Sequence, residues 1–273
     1  MGSCRRSINL SIYDRPDRGA RLQGSFSSWS ATESAVSTPR KRLGVSSHLF
    51  LLLLNFVARE FVTDRVYVLN RGRNLREIDF NNSKSLKIGQ FSAYDYFGDG
   101  SFYLLDSPGH AIGHLCGLIR TTNDPDSFVL LGGDICHHGS IFRPSEHLPL
   151  PSSILPNPLA PDIDMPFCPG SAFEELQRER GMNLRGPILK PEFGHDIPLA
   201  LHTIAKLQEL DVDENILVII AHDKFARDVV DHFPFSLNEW KERGWGRQLR
   251  WAFLKDFEPY WRSRGVASDQ NVI

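Results

Sequence analysis

The sequence has few cysteines, little net charge and no long hydrophobic run, and each shortage argues against a class of protein. Its four cysteines form no CxxC pair, which is typical of reduced thiols in an intracellular protein. A net charge of −2 gives no reason to expect nucleic acid as a partner. The longest apolar run, at 49–57, is about half of a bilayer span and starts too late for an ordinary signal peptide. We therefore expect a cytoplasmic protein without a membrane segment.

The N-terminal part differs in composition from the remainder of the chain. Residues 1–43 carry nine serines, eight Lys or Arg and only three Asp or Glu, and their apolar residues show no periodicity. This composition predicts disorder. It is also typical of a mitochondrial presequence, an alternative address against which Asp14 and Asp17 argue. We expect residues 1–65 to be disordered or unrelated to the fold, and residues 66–273 to form one domain.

Short apolar runs that end on turns follow one another along this predicted domain. Residues 101–106 (SFYLLD) lead into SPGH, residues 127–131 (SFVLL) lead into GGD, and residues 216–220 (ILVII) lead into AHD. Each run predicts a strand, and the glycines after the first two predict turns. Three polar residues therefore stand just past predicted strand ends: His110, Asp134 and His222.

A proline-rich segment separates the first strands from helical sequence. Residues 139–170 hold eight of the 17 prolines, which predicts a long irregular segment of the kind that is usually functional or mobile. Ser171 is expected to cap a short helix over 171–180. Asp196 is expected to cap a second helix, whose apolar residues recur at helical spacing. The C-terminal part, rich in aromatic residues, is expected to be helical.

Residues at strand ends are held rigidly, so their side chains can be directed at one point. Imidazole and carboxylate groups suit zinc, and iron or manganese accept the same set. Water on such an ion ionises near neutral pH and becomes a nucleophile. The residues alone leave a second interpretation open, in which each histidine is an ordinary hydrogen-bonded side chain and GGD is an ordinary turn.

Three further histidines are candidates for supporting positions around these ligands. His114 is expected mainly as a strand residue, because the AIG between it and His110 lacks the glutamate of the zinc-protease motif. His137 and His138 are adjacent, so in an extended chain they point to opposite sides. At most one of that pair can face a site built around Asp134.

Taken in order, DSPGH at 106–110, GGD at 132–134 and AHD at 221–223 resemble the metallo-β-lactamase superfamily. The resemblance covers about residues 68–273 and implies an α/β fold, an αββα sandwich with a two-metal site on one edge. It implies that His110 ligates one metal, that Asp134 bridges both and takes part in catalysis, and that His222 ligates the second.

The same resemblance implies a metal-dependent hydrolase. A metal-bound hydroxide would attack the ester, lactone, thioester or amide carbonyl of a small-molecule substrate, and the metals would stabilise the developing oxyanion. Zinc, as one or two ions, is the expected cofactor, with iron or manganese as alternatives. The proline-rich segment would lie over the site and help to select the substrate.

One part of the family pattern is absent from the sequence. The HxHxDH motif supplies four of the seven ligands in the family, yet no HxH occurs here and His48 is the only histidine before His110. We therefore expect the first half of the sandwich to be incomplete, as in a truncated or mispredicted chain. Unpaired strand edges would then favour self-association. The alternative function is a catalytically inactive member that acts at most as a binding module.

Overall fold

The computed structural model describes residues 10–14, 74–81, 85–159, 167–232 and 234–263. The strands in these residues are Leu10–Asp14 (β1), Asn74–Ile78 (β2), Leu86–Ile88 (β3), Phe91–Asp95 (β4), Phe102–Asp106 (β5), Leu115–Asn123 (β6), Asp126–Leu131 (β7), Ser153–Ile154 (β8), Cys168–Pro169 (β9) and Ile216–Ile219 (β10). The α-helices are Gly170–Glu179 (α1), Ile197–Leu210 (α2), Lys224–Val229 (α3), Trp245–Arg250 (α4) and Glu258–Ser263 (α5). Short 3₁₀ helices span Gly139–Ile141 and Ala252–Phe257.

Six strands form one mixed sheet in the order β10-β7-β6-β5-β4-β3. Neighbouring strands from β3 to β7 are antiparallel, whereas β10 is parallel to β7. Since β5 and β7 are both antiparallel to β6, the carboxyl ends of β5, β7 and β10 lie at the same edge of the sheet. The predicted α/β class is confirmed. The described residues contain no second large sheet, because the other two sheets are the pairs β1-β2 and β8-β9.

The central strands are buried on both faces, which explains why they are apolar runs and not alternating sequences. On one face, Leu130 of β7 belongs to the same buried cluster as Leu207 of α2. On the opposite face, Val129 belongs to a cluster with Trp240 and Trp245 of the C-terminal part. The helices on both sides therefore hold the strand ends in fixed positions.

The proline-rich segment is part of the core over much of its length. Residues 140–145 are buried, and Arg143 forms a buried ion pair with Asp211 while its Nη1 donates to the carbonyl of Arg250 at 2.8 Å. Further along, Ile154 packs in one cluster with Phe173 of α1. The expectation of a segment without regular structure was wrong where β8 pairs with β9.

The two helix caps expected from the sequence have different outcomes. Asp196 caps α2 as predicted, since its Oδ1 accepts a hydrogen bond from the Leu199 amide at 2.9 Å. The cap at Ser171 was wrong, because α1 begins one residue earlier and Pro169 stands at its N-cap without a side-chain hydrogen bond. The amide of Gly170 instead donates to the carbonyl of Ser152 at 3.0 Å, which ties the start of the helix to β8.

Of the predicted disordered segment 1–65, the structure describes only β1, which pairs with β2 in antiparallel register. The prediction for the rest of that segment, and the domain boundary at residue 66, lie outside the described residues. The edge strands of the six-stranded sheet are β3 and β10, and self-association through strand edges stays a prediction. No helix of the described part is long and apolar enough to cross a membrane.

Candidate metal centre

The parallel pairing of β7 and β10 brings Asp134 and His222 together. Leu131 pairs with Ile219 in that register, so Asp134 and His222 each stand three residues beyond the paired positions. Pairing continues past the strands, since the Gly132 amide donates to the Ile219 carbonyl at 2.8 Å. The Nε2 atom of His222 lies 3.0 Å from Oδ1 of Asp134.

His110 reaches the same point from the turn between β5 and β6. That turn is held by α2, because the Thr203 hydroxyl donates to the carbonyl of Pro108 at 2.6 Å. It is also held by the segment before α2, because the His195 amide donates to the carbonyl of His110 at 2.8 Å. The Nε2 atom of His110 lies 4.0 Å from Oδ2 of Asp134. The three residues predicted as ligands are thus brought together.

His137 is a fourth member of the cluster. Its Nε2 atom lies 4.0 Å from Oδ1 of Asp134, and one ligand atom each from Asp134, His137 and His222 lie within 4.8 Å of one another. The sequence left the role of His137 undecided. Its position three residues after Asp134 was the available signal, because a turn can bring two residues at that spacing together. Its ring centroid is 4.7 Å from that of His110.

His138 points away from the cluster, as expected for the neighbour of a residue that faces it. The Ser140 amide donates to Nδ1 of His138 at 3.2 Å, so in the neutral ring Nε2 carries the proton and donates to Oδ2 of Asp256 at 3.1 Å. Asp256 also pairs with Lys224 at 2.5 Å. The prediction that at most one of the two histidines faces Asp134 is confirmed, and His138 instead ties the segment after Asp134 to the C-terminal part.

His114 lies behind Asp134 and hydrogen-bonds to its backbone. It stands one residue before β6, is buried, and its Nε2 atom accepts a hydrogen bond from the Asp134 amide at 3.0 Å. Nδ1 then carries the proton of the neutral ring, 3.1 Å from the carbonyl of Ser107. Burial lowers the pKa of His114 to about 4, which keeps this ring neutral and able to accept from the amide.

The carboxylate of Asp134 is buried but incompletely bonded. Its side chain is 9% exposed, and Oδ1 accepts no hydrogen bond from any described residue although His222 Nε2 is 3.0 Å away. These two atoms are within contact distance but are not aligned as donor and acceptor. Burial, and then the neighbouring His110, lower the pKa of His137, which favours a neutral imidazole with a free lone pair. A buried carboxylate oxygen faced by imidazole nitrogens fits a divalent metal ion.

The cluster opens to solvent on one side. The His222 side chain is 56% exposed, against 17% for His110 and 20% for His137. Phe193 borders this region, with its ring centroid 4.5 Å from that of His137. Sequence reasoning missed Phe193, because a phenylalanine in an irregular segment carries no periodic or motif signal.

Comparison with known proteins finds relatives that are named as lactamases and hydrolases. A γ-lactamase of Fusarium pseudograminearum is 47% identical over 191 residues, which are 69% of this chain and 46% of that protein. A metallo-hydrolase of Annulohypoxylon moriforme is 45% identical over 194 residues, which are 69% of this chain and 48% of that protein. No family model matches the chain.

Two shorter or weaker likenesses accompany these. A γ-lactamase of Gibberella moniliformis is 61% identical over 102 residues, 37% of this chain and 42% of that protein. A solved N-acyl homoserine lactone hydrolase is 21% identical and covers 53% of this chain and 38% of that one, with a TM-score of 0.32, too low to bear on the fold. The chain spans just under half the length of these three curated relatives. These relatives support the resemblance of its strand-end motifs to the metallo-β-lactamase superfamily.

Proposed function

We propose that this chain carries part of the active site of a metal-dependent hydrolase. His110, Asp134 and His222 would hold a divalent ion, with His137 beside them. The observation that supports this most strongly is the buried Oδ1 of Asp134, which accepts no hydrogen bond from the described residues and is faced by His222 Nε2 at 3.0 Å and His137 Nε2 at 4.0 Å. Zinc suits this donor set best, and iron or manganese fit it as well.

When bound, such an ion supplies an activated water and stabilises negative charge on a carbonyl oxygen. The side chains of this chain contribute position and charge. The His114 contact to its amide holds the Asp134 backbone, and the Asp134 carboxylate faces His222 and His137. It is placed to accept a proton from the attacking water and to return it to the leaving oxygen, sulfur or nitrogen. The His222 side chain is exposed, and a substrate would reach the cluster from that side.

The substrate class that follows is a small molecule with an ester, lactone, thioester or amide carbonyl. Hydrolysis adds the water oxygen to the carbonyl carbon, breaks the bond to the leaving heteroatom and transfers one proton to it. The relatives named γ-lactamase act, by name, on cyclic amides, which favours small lactams and lactones as first probes. Hydrolysis of these substrates by the whole protein is part of the same proposal.

Metal content of the purified full chain tests the centre. The chain is stripped with EDTA, offered zinc, iron or manganese in turn, desalted and analysed by mass spectrometry. We expect at least one equivalent of one metal in the wild type and background levels in Asp134→Ala. Asp228→Ala removes an exposed carboxylate, 67% exposed, on α3, and should bind as the wild type does.

Turnover tests the assignment of the residues. With γ-butyrolactone and a simple thioester as substrates, we expect His110→Ala to lower kcat/KM by at least about 100-fold, beyond what loss of an outer partner of a ligand usually costs. Hydrolysis that survives this substitution unchanged would mean that the site is elsewhere. Background metal together with no turnover in the wild type would instead support the alternative, a non-catalytic binding module.

A further inference from the structure

An exposed aromatic side chain borders the candidate metal centre. Phe193 is 61% exposed, although folding normally removes so large an apolar surface from water. Its ring centroid lies 4.5 Å from that of His137 with a tilt of 42°, and 6.2 Å from that of His110 with a near-perpendicular tilt of 73°. One side of the ring therefore contacts two imidazoles of the cluster, and much of the rest remains open to solvent.

The backbone around Phe193 is held to the turn that carries His110. The His195 amide donates to the carbonyl of His110 at 2.8 Å, and the Asp196 amide donates to the carbonyl of Gly109 at 2.9 Å. Gly194 has a φ of +151°, and a Cβ there would lie 3.4 Å from the Gly109 carbonyl oxygen and from the Cα of His110. Phe193 thus projects from a segment that backbone hydrogen bonds hold rigidly beside the site. Binding residues need such a rigid placement.

We propose that Phe193 determines specificity by packing against an apolar group of the substrate next to the carbonyl that is hydrolysed. The proposal rests on the proposed hydrolase function and adds to it the substrate class: carbonyl compounds that bear a ring or an alkyl chain near the scissile bond. Such a group would pack on the exposed part of the Phe193 ring while the carbonyl lies at the cluster. Only the His137 imidazole separates that ring from Asp134. Neither His137 nor His110 offers a comparable apolar surface.

The expected contribution is an affinity difference that depends on the ligand. An aromatic pair contributes to affinity beyond the burial of its area, so truncation of Phe193 should weaken binding of an aryl-bearing ligand about tenfold. A purely structural Phe193, acting only as support for His137, would affect ligands with and without an apolar group equally. The ratio between two such ligands is therefore the quantity to measure.

The experiment uses the metal-loaded full chain and two carboxylates that cannot react, butanoate and 4-phenylbutanoate, titrated by calorimetry. Phe193→Ala should weaken 4-phenylbutanoate about tenfold and leave butanoate unchanged, and Phe193→Leu should restore part of the loss. Phe235→Ala is the matched control, because Phe235 is also 63% exposed but follows α3 and is not among the rings stacked at the cluster. It should bind both ligands as the wild type does.

A second readout is the hydrolysis of γ-butyrolactone and its γ-phenyl derivative. Phe193→Ala should raise KM for the phenyl lactone alone, with thermal unfolding recorded to show that the variant is folded. An equal loss for both ligands, or no loss for either, would overturn the role of Phe193. Failure of the metal centre itself looks different: butanoate then binds no better to the metal-treated chain than to Asp134→Ala, and both proposals fall.

Discussion

His114 shows how one buried side chain can serve a site without touching its ligands. It accepts the amide hydrogen bond of Asp134 on one side and meets the carbonyl of Ser107 on the other. The residues around it are buried, so water cannot replace either bond. The position of the Asp134 backbone thus depends on a histidine twenty residues away in sequence.

Replacement of His114 should weaken both the fold and the metal site. In His114→Leu the Asp134 amide is left buried without an acceptor, which costs about 1–3 kcal/mol of unfolding free energy. Loss of an outer partner of a ligand typically lowers metal affinity about 10–100-fold. Urea unfolding and titration against a competing chelator measure the two effects. His202→Ala, on the exposed face of α2, is the control, and an unchanged His114→Leu would refute the role.

At the scale of elements, the SPGH turn and α2 form one unit. Gly109 has a φ of +132°, and a Cβ there would lie 2.4 Å from the backbone N and Cα of Ala200. The start of α2 therefore packs directly on the turn that carries His110, with space for a hydrogen atom only. The glycine of the motif is required by this contact as well as by its dihedral angle.

Gly109→Ala should therefore lower the free energy of unfolding by more than the strain of a positive φ alone would. We expect a loss of about 3 kcal/mol in unfolding free energy, from dihedral strain together with overpacking. Gly181→Ala provides the comparison, because Gly181 also has a positive φ, +63°, but has nothing within 4 Å of an added Cβ. That variant should lose only about 1–2 kcal/mol. Equal losses in chemical denaturation would show that the contact with α2 is unimportant.

The elements themselves were predictable to different degrees. The apolar runs that became β5, β7 and β10 were visible because burial on both faces requires consecutive apolar residues. Asp196 was identifiable as a cap because the preference is local. The start of α1 was not predictable, since the Gly170 amide there donates to the carbonyl of Ser152. The antiparallel pairing of β8 and β9 brings these two residues together, and the proline content of the segment does not reveal it.

At the scale of the whole molecule, the candidate centre joins parts of the chain that are more than one hundred residues apart. His110 lies between β5 and β6, Asp134 follows β7 and His222 follows β10, so a bound ion would connect three segments at one edge of the sheet. An ion that binds the folded chain more tightly than the unfolded chain stabilises the whole domain.

The melting temperature should therefore depend on metal. At a free metal concentration about 100 times Kd, the gain is about 2.7 kcal/mol, which corresponds to roughly 5–10 °C for a domain of this size. Calorimetry of the full chain with and without metal measures it, and EDTA should reverse the shift. Asp134→Ala should melt at the same temperature under both conditions. A shift of equal size in that variant would place the bound metal elsewhere.

By itself, the sequence determined the strand ends and the turns that follow them, and it predicted three candidate ligands and a family resemblance, because apolar runs, turns and short motifs are local patterns. Only the tertiary structure decided that His137 joins the cluster while His138 faces Asp256, that His114 supports the Asp134 backbone, and that Phe193 lies beside the imidazoles. The reason is physical. These contacts arise from strand register and from the packing of α2 and the C-terminal part on the sheet, which no single stretch of sequence encodes.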